Sequence, residues 1–214
     1  MEILDTTEVR VLGALLEKEA TTPEYYPLSL NALVNACNQK SNRDPVVDYD
    51  EDTVYDAVTR LREKKLALLT TGNGRVNKYS QRLSETLNLG RRELAVLCTL
   101  LLRGPQTLGE IKDRSERMFS FADLAETEST LERLAEWPQG GLVAKLPRQP
   151  GQKEARYNHL LAGEPSPIAA STAAGPSLQP APSRISQLET ELQKLRFEFD
   201  ELKTRFEELA RQLQ

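Results

Sequence analysis

With 214 residues, 28 Lys plus Arg and 32 Asp plus Glu, the chain has room for one large domain or two small ones, and an acidic balance that weakens a nucleic-acid role unless its cations are segregated. No stretch approaches the ~20 apolar residues of a membrane span, and Met1 to Asp5 lacks the basic region that opens a secretory signal. Cys37 and Cys98 are the only cysteines, which excludes a disulfide framework or a four-thiolate metal site, so a cytoplasmic protein is expected.

Asp5 with Glu8 three residues on reads as a capping box, opening a first helix whose stripe is Val11, Leu12, Leu15 and Leu16. The prolines at 23 and 27 end it. Ser29 caps a second helix with Leu30, Leu33, Val34 and Cys37 inward. Residues 38–48 are polar, contain Pro45 and read as a loop. Asp50 starts a third helix with Val54, Ala57, Val58 and Leu61 buried. Leu66–Thr70 and Arg75–Ser80 flank Gly72-Asn73-Gly74, a hairpin signal because Asn and Gly tolerate positive φ.

The order then repeats. Glu8-Val9-Arg10-Val11-Leu12 is echoed by Glu93-Leu94-Ala95-Val96-Leu97, and Val58-Thr59-Arg60-Leu61 by Leu131-Glu132-Arg133-Leu134. Helices are expected over 90–102, from Thr107 (boxed with Glu110) to about 117, and from Asp123 (boxed with Glu126) onward. A second hairpin is expected from Leu142–Leu146 and Glu154–His159. Residues 165–183 carry no charge and five prolines, a composition that buries no core. Beyond them Ile185, Leu192, Phe199, Phe206 and Leu213 fill every a position, and Leu188, Leu195, Leu202 and Leu209 every d position. That is a coiled-coil seam for self-association.

The expected fold class is therefore mainly α with small β-hairpins: tandem winged helix-turn-helix domains at 1–84 and 85–162, a Pro/Ala/Ser-rich linker at 163–184 and a coiled coil at 185–214. In Leu16-Glu17-Lys18, in 22–29, in 37–45, and in Thr107-Leu108, Met118-Phe119 and Glu128–Glu132, the chain resembles the YceH-like family of bacterial proteins. The resemblance covers nearly all of residues 6–160. It implies a tandem winged-helix protein of the bacterial cytoplasm, often with a C-terminal coiled coil, and carries no biochemical activity with it.

No residue set suggests catalysis, and no cofactor is expected. His159, the only histidine, reads as a partly exposed surface residue, and both cysteines as small apolar residues on helical stripes. Gly72-Asn73-Gly74 lacks the Gly-Lys-Ser/Thr of a nucleotide-binding loop. Asp48, Asp50, Glu51 and Asp52 fit an acid-rich helix start better than a cation site. For nucleic acid, the third helix would normally enter the major groove. Here it opens Asp50-Glu51-Asp52 and carries Asp56, while its counterpart carries Asp123, Glu126, Glu128 and Glu132. Candidate phosphate contacts lie elsewhere: Lys40 and Arg43 in the polar loop, Arg60 and Lys64 at the end of the third helix, Arg75 and Lys78 in the first wing, Arg114 and Arg117 on the short helix, Lys153 and Arg156 in the second wing. Residues 1–80 hold 10 basic and 13 acidic side chains, and residues 81–164 hold 12 of each, so neither half is a basic module. Two functions stay open: a dimeric DNA-binding regulator, favoured by analogy of fold, and a protein-interaction adaptor using the same surfaces. Convergence of the cations on one face is what separates them.

Overall fold

The computed structural model describes residues 2–71, 76–148 and 151–164. The heptad positions from Ile185 to Leu213, the linker from 165 onward, and Arg75 lie outside the described residues. What is described is mainly helical, with seven α-helices and two small antiparallel sheets.

The first half runs α1 (Thr6–Thr21), β1 (Leu28–Ser29), α2 (Leu30–Cys37), α3 (Glu51–Glu63), β2 (Ala67–Thr71) and β3 (Asn77–Gln81). A short α4 (Leu83–Leu87) leads into the second half: α5 (Arg91–Arg103), β4 (Gln106–Thr107), α6 (Leu108–Ser115), α7 (Leu124–Ala135), β5 (Val143–Lys145) and β6 (Arg156–His159). The sheets share one topology, β1-β3-β2 and β4-β6-β5. Tyr79 pairs with Leu28 in the first and Tyr157 with Gln106 in the second, so these two tyrosines occupy matching places.

Local chemistry sets the helix starts. Asp5 accepts from the backbone N–H groups of Thr7 and Glu8, both at 2.8 Å, while Glu8 Oε2 accepts from Asp5 N–H at 2.8 Å, completing the capping box. Thr107 and Glu110 do the same for α6. The third box is modified: Asp123 accepts from Glu126 N–H, but Glu126 reaches back to Ala122 N–H, one residue beyond the cap. Pro23–Tyr25 form one 3-10 turn, because the prolines at 23 and 27 forbid a longer helix. The two-residue strands β1 and β4 and helix α4 have no counterpart in the sequence reading, and α4 spans the boundary expected between 84 and 85.

Every residue from Glu8 to Glu17 is buried, and nearly every one from Glu93 to Leu102. A helix buried all round lies inside a core rather than on it, and α1 and α5 pack on one another while each also carries the helices of its own half. The halves thus form one compact unit with a shared core. Gly13 permits the approach: a Cβ there would lie 2.8 Å from Leu102 Cδ2 and 3.1 Å from Leu101 Cβ. Cys98, which follows Glu93 by the same five residues that separate Gly13 from Glu8, sets its thiol against Gly13 O at 3.4 Å. Equivalent positions of the repeat meet across the seam.

Candidate nucleic-acid interface

In the winged-helix arrangement expected from the sequence, the surfaces that would meet a groove are the outward faces of α3 and α7. On α3, Glu51, Asp52, Tyr55, Asp56 and Glu63 are exposed, the spacing of one helical face. Tyr55 is 46% exposed at its centre, between Asp52 and Asp56. On α7, Ser129 and Glu132 are exposed and Glu128 is half-buried. Lys145 of β5 lies over the Tyr157 ring at 5.4 Å. Its contact with Tyr157 chiefly, and the field of Glu128 and Glu132, hold its ammonium above the ordinary lysine range. Both faces carry exposed carboxylates, with the exposed cations Lys145 and Arg133 beside those of α7.

The expected cations divide into three groups. The first is occupied by carboxylates. Arg43 is corrected from loop surface to core: its side chain is wholly buried, with Nη2 2.6 Å from Glu17 Oε2. It also donates to Ala36 O from Nε at 3.1 Å and from Nη2 at 2.7 Å, and to Asn42 O at 2.9 Å. Arg60 sits 2.7 Å from Asp5 and 3.7 Å from buried Glu8, and Lys64 is 2.8 Å from Glu8 and donates to Ile3 O at 3.0 Å. These two bind the end of α3 to the start of α1. Arg114 and Arg156 share Glu110, at 3.4 and 3.1 Å. The second group comprises Lys40, Lys78, Arg117 and Lys153, which are exposed and make no ion pair among the described residues. They lie on a loop, on β3, just past α6 and in the second hairpin. Arg75 forms the third, outside the described residues.

The Arg60–Glu8 contact has its repeat equivalent. Arg133 of α7 is hydrogen-bonded to Glu93 of α5, itself buried. The aligned pairs Glu8/Arg60 and Glu93/Arg133 are therefore one device used twice, in which the third helix closes over a carboxylate in the first. That assignment explains an arginine in each third helix without a ligand.

The polar loop 38–50 is likewise built rather than free. Asn38 donates to Tyr49 O at 2.8 Å and accepts from Tyr49 N–H at 2.9 Å. Arg10, buried on α1, donates to Pro45 O at 2.5 Å and to Cys37 O at 3.4 Å. Burial, then the nearby Arg43, lowers its affinity for its proton. Asp44 N–H donates to Leu102 O at 2.9 Å, and Arg103 donates to Asn42 at 2.5 Å, so the loop of the first half is latched to α5 of the second. Arg10 and Arg103 escaped the sequence reading. Arg10 is flanked by Val9 and Val11 on a helix read as facing the core, and Arg103 looks like an ordinary helix-end cation.

Both cysteines are buried; burial raises the Cys37 thiol to about 12 and raises that of Cys98 as well. His159 corrects the surface expectation. It is 7% exposed, its Nδ1 has no hydrogen-bond partner, and burial lowers its pKa to about 4. Among the described residues no group of three or more His, Cys, Asp or Glu is placed to hold a metal ion, and no helix is long and apolar enough to cross a membrane. Asp50 accepts from Thr53 N–H at 2.8 Å, as a helix cap.

Fold and surface define a class: a doubled, mainly helical module with small antiparallel sheets, fused through the first helix of each copy. The family described as "Protein of unknown function, DUF480" matches residues 4–152. A UPF0502 protein of Solibacter usitatus is 55% identical over 201 residues, covering 92% of this chain and 95% of the relative. One of Citrifermentans bemidjiense is 60% identical over 162 residues, 76% and 75% of the two chains. Another, of Geobacter sulfurreducens, is 52% identical over 201 residues, 91% of each. The chain belongs to this DUF480, or UPF0502, family of bacterial proteins.

Proposed function

We propose that the chain is a non-enzymatic adaptor of the bacterial cytoplasm: two winged helix-turn-helix units that dock basic protein surfaces through the outward faces of α3 and α7, joined in pairs by the C-terminal heptads. The helix–strand–helix–helix–hairpin order of each half supports the winged-helix reading. One observation carries the choice of partner. The outward faces of α3 and α7 present Asp52, Asp56, Glu128 and Glu132, while Arg43, Arg60, Lys64, Arg114 and Arg156 are committed to the protein's own carboxylates. A carboxylate beside a phosphate repels, and a cation already paired releases little on meeting DNA. Tyr55, exposed between two aspartates, has the make-up of an interface anchor, an aromatic ring within a charged rim.

The second reading, a dimeric DNA-binding regulator, rests on the exposed and unpaired Lys40, Lys78, Arg117 and Lys153. Fluorescence anisotropy separates the two. A labelled Lys/Arg-rich peptide is expected to bind the full chain and to be lost with Tyr55→Ala and with Asp52→Lys/Asp56→Lys, while random duplex DNA does not bind at low salt. Duplex binding whose log affinity falls linearly with log salt, with the peptide indifferent to those variants, establishes the regulator instead.

A further inference from the structure

Where α1 and the 38–50 loop of the first half meet α5 and α6 of the second, a cleft opens whose lining includes Thr21, Asn42, Thr99, Arg103, Arg114 and Arg117. Its free space is small, about 30 Å³, roughly twice what one water needs. The charge there does not balance. Glu17, the acidic residue of the lining, is shared by Arg43 at 2.6 Å and Lys18 at 3.9 Å. Glu110, which pairs with Arg114, is shared with Arg156. Among the described residues the Arg103 side chain hydrogen-bonds a neutral amide, that of Asn42, and the carboxylates in its wider field are Asp44 and the already shared Glu17. Arg117 is exposed and unpaired among the described residues.

Arg103 is held here at an energetic cost. Half-burying the Arg103 guanidinium loses hydration that Asn42 does not replace, and Arg114 and Arg43 add like-charge repulsion. Burial first, then these two neighbours, lower its hold on its proton. An anion seated between Arg103 and Arg117 removes both penalties, and guanidinium forks match the oxygens of a phosphoryl group in pairs. The hydroxyls do not compete for this role: Thr21 donates to Glu17 O at 2.8 Å and Thr99 to Ala95 O at 2.9 Å. Recognition falls to the arginines.

We infer that this cleft is a binding site for the phosphoryl group of a small molecule, which on binding ties the two halves together. The site is separate from the outward faces of α3 and α7 and stands whichever partner they take. A small molecule rather than a nucleic-acid backbone is indicated because the cleft is narrow and its walls come from both halves.

The test uses the full chain with sodium pyrophosphate as probe, in calorimetric titration and thermal melting, against sodium chloride at matched ionic strength. Pyrophosphate is expected to bind at one site per chain and to raise the melting temperature, since a ligand held only by the folded state stabilises it. Arg117→Gln removes an exposed side chain and is expected to weaken binding about tenfold or more, the scale of one lost charge-assisted hydrogen bond, with the unliganded melting temperature unchanged. Arg103→Gln tests the buried side, and Lys40→Gln is the surface control. Absence of binding, equal stabilisation by chloride, or equal weakening by Lys40→Gln overturns the inference. So does duplex DNA that binds and loses its affinity in Arg103→Gln and Arg117→Gln, since the phosphate would then be a backbone one.

Discussion

Replacing Arg43 by Leu is expected to destabilise the fold severely without touching a ligand. Its side chain is 0% exposed and makes hydrogen bonds to Glu17, Ala36 O and Asn42 O. Leucine would fill part of the space. Glu17, whose own side chain is only 8% exposed, would keep Lys18 at 3.9 Å as its one remaining cation. Ala36 O would lose two donors near the end of α2. Removing one partner of a buried ion pair costs about 3–5 kcal/mol, a large share of the ~5–15 kcal/mol that holds a domain together. Relief of repulsion between Arg43 and Arg10 offsets only a little, because Arg10 keeps its bond to Pro45 O. Urea unfolding at neutral pH measures the loss. The double variant Arg43→Leu/Glu17→Leu is expected to recover much of it, since no buried charge is then left alone. A loss below about 1 kcal/mol, or the two single losses simply adding, refutes the assignment of Arg43 to the core.

Three further outcomes follow from the same structure. His159 stays neutral in the fold down to about pH 4 but takes a proton near 6.5 when unfolded, so its stabilising contribution is complete above pH 6.5 and is lost as pH falls toward 4. That interval corresponds to about 3 kcal/mol, of which about 2 kcal/mol is expected between pH 7 and 5, and His159→Phe is expected to flatten this part of the stability profile measured by urea unfolding. Gly13→Leu drives a side chain into Leu101 and Leu102 and is expected to cost about 1–3 kcal/mol by overpacking, read as a lower urea midpoint. Leu195→Asp/Leu202→Asp is expected to turn a dimer into a monomer in light scattering while leaving the melting of residues 1–160 unchanged; a wild type already monomeric contradicts the heptad reading.

The helices were legible because short-range signals define them: Asp5, Ser29, Asp50, Thr107 and Asp123 each cap where a side-chain oxygen at the right spacing predicts. The two-residue strands were not, since β1 and β4 form only by pairing with β3 and β6 far along the chain. Charge was the harder matter. A cation's position in a sequence does not reveal which carboxylate will reach it, and Arg43 finds Glu17 across 26 residues. Its loop reads as polar surface, yet Asn38, Arg10 and Arg43 fold it inward and Asp44 fixes it to α5. The repeat held one missed clue. The aligned Glu8/Glu93 and Arg60/Arg133 form two copies of an ion pair, and the alignment alone places both partners. His159 was misplaced because a lone polar residue at a strand end carries no periodic signal of which face it takes.

The claim that carboxylates on α3 and α7 direct this protein away from DNA is tested most directly by reversing them. Wild type, the variant with Asp52, Asp56, Glu128 and Glu132 changed to Lys, and a control with Glu24, Asp48, Asp113 and Glu154 changed to Lys would be titrated into labelled random duplex across a salt series. The predicted result is no binding by wild type, salt-sensitive binding by the face-reversed variant, and much weaker binding by the control of equal net charge. Salt-dependent duplex binding by the wild type, or equal gains in both variants, would contradict the account.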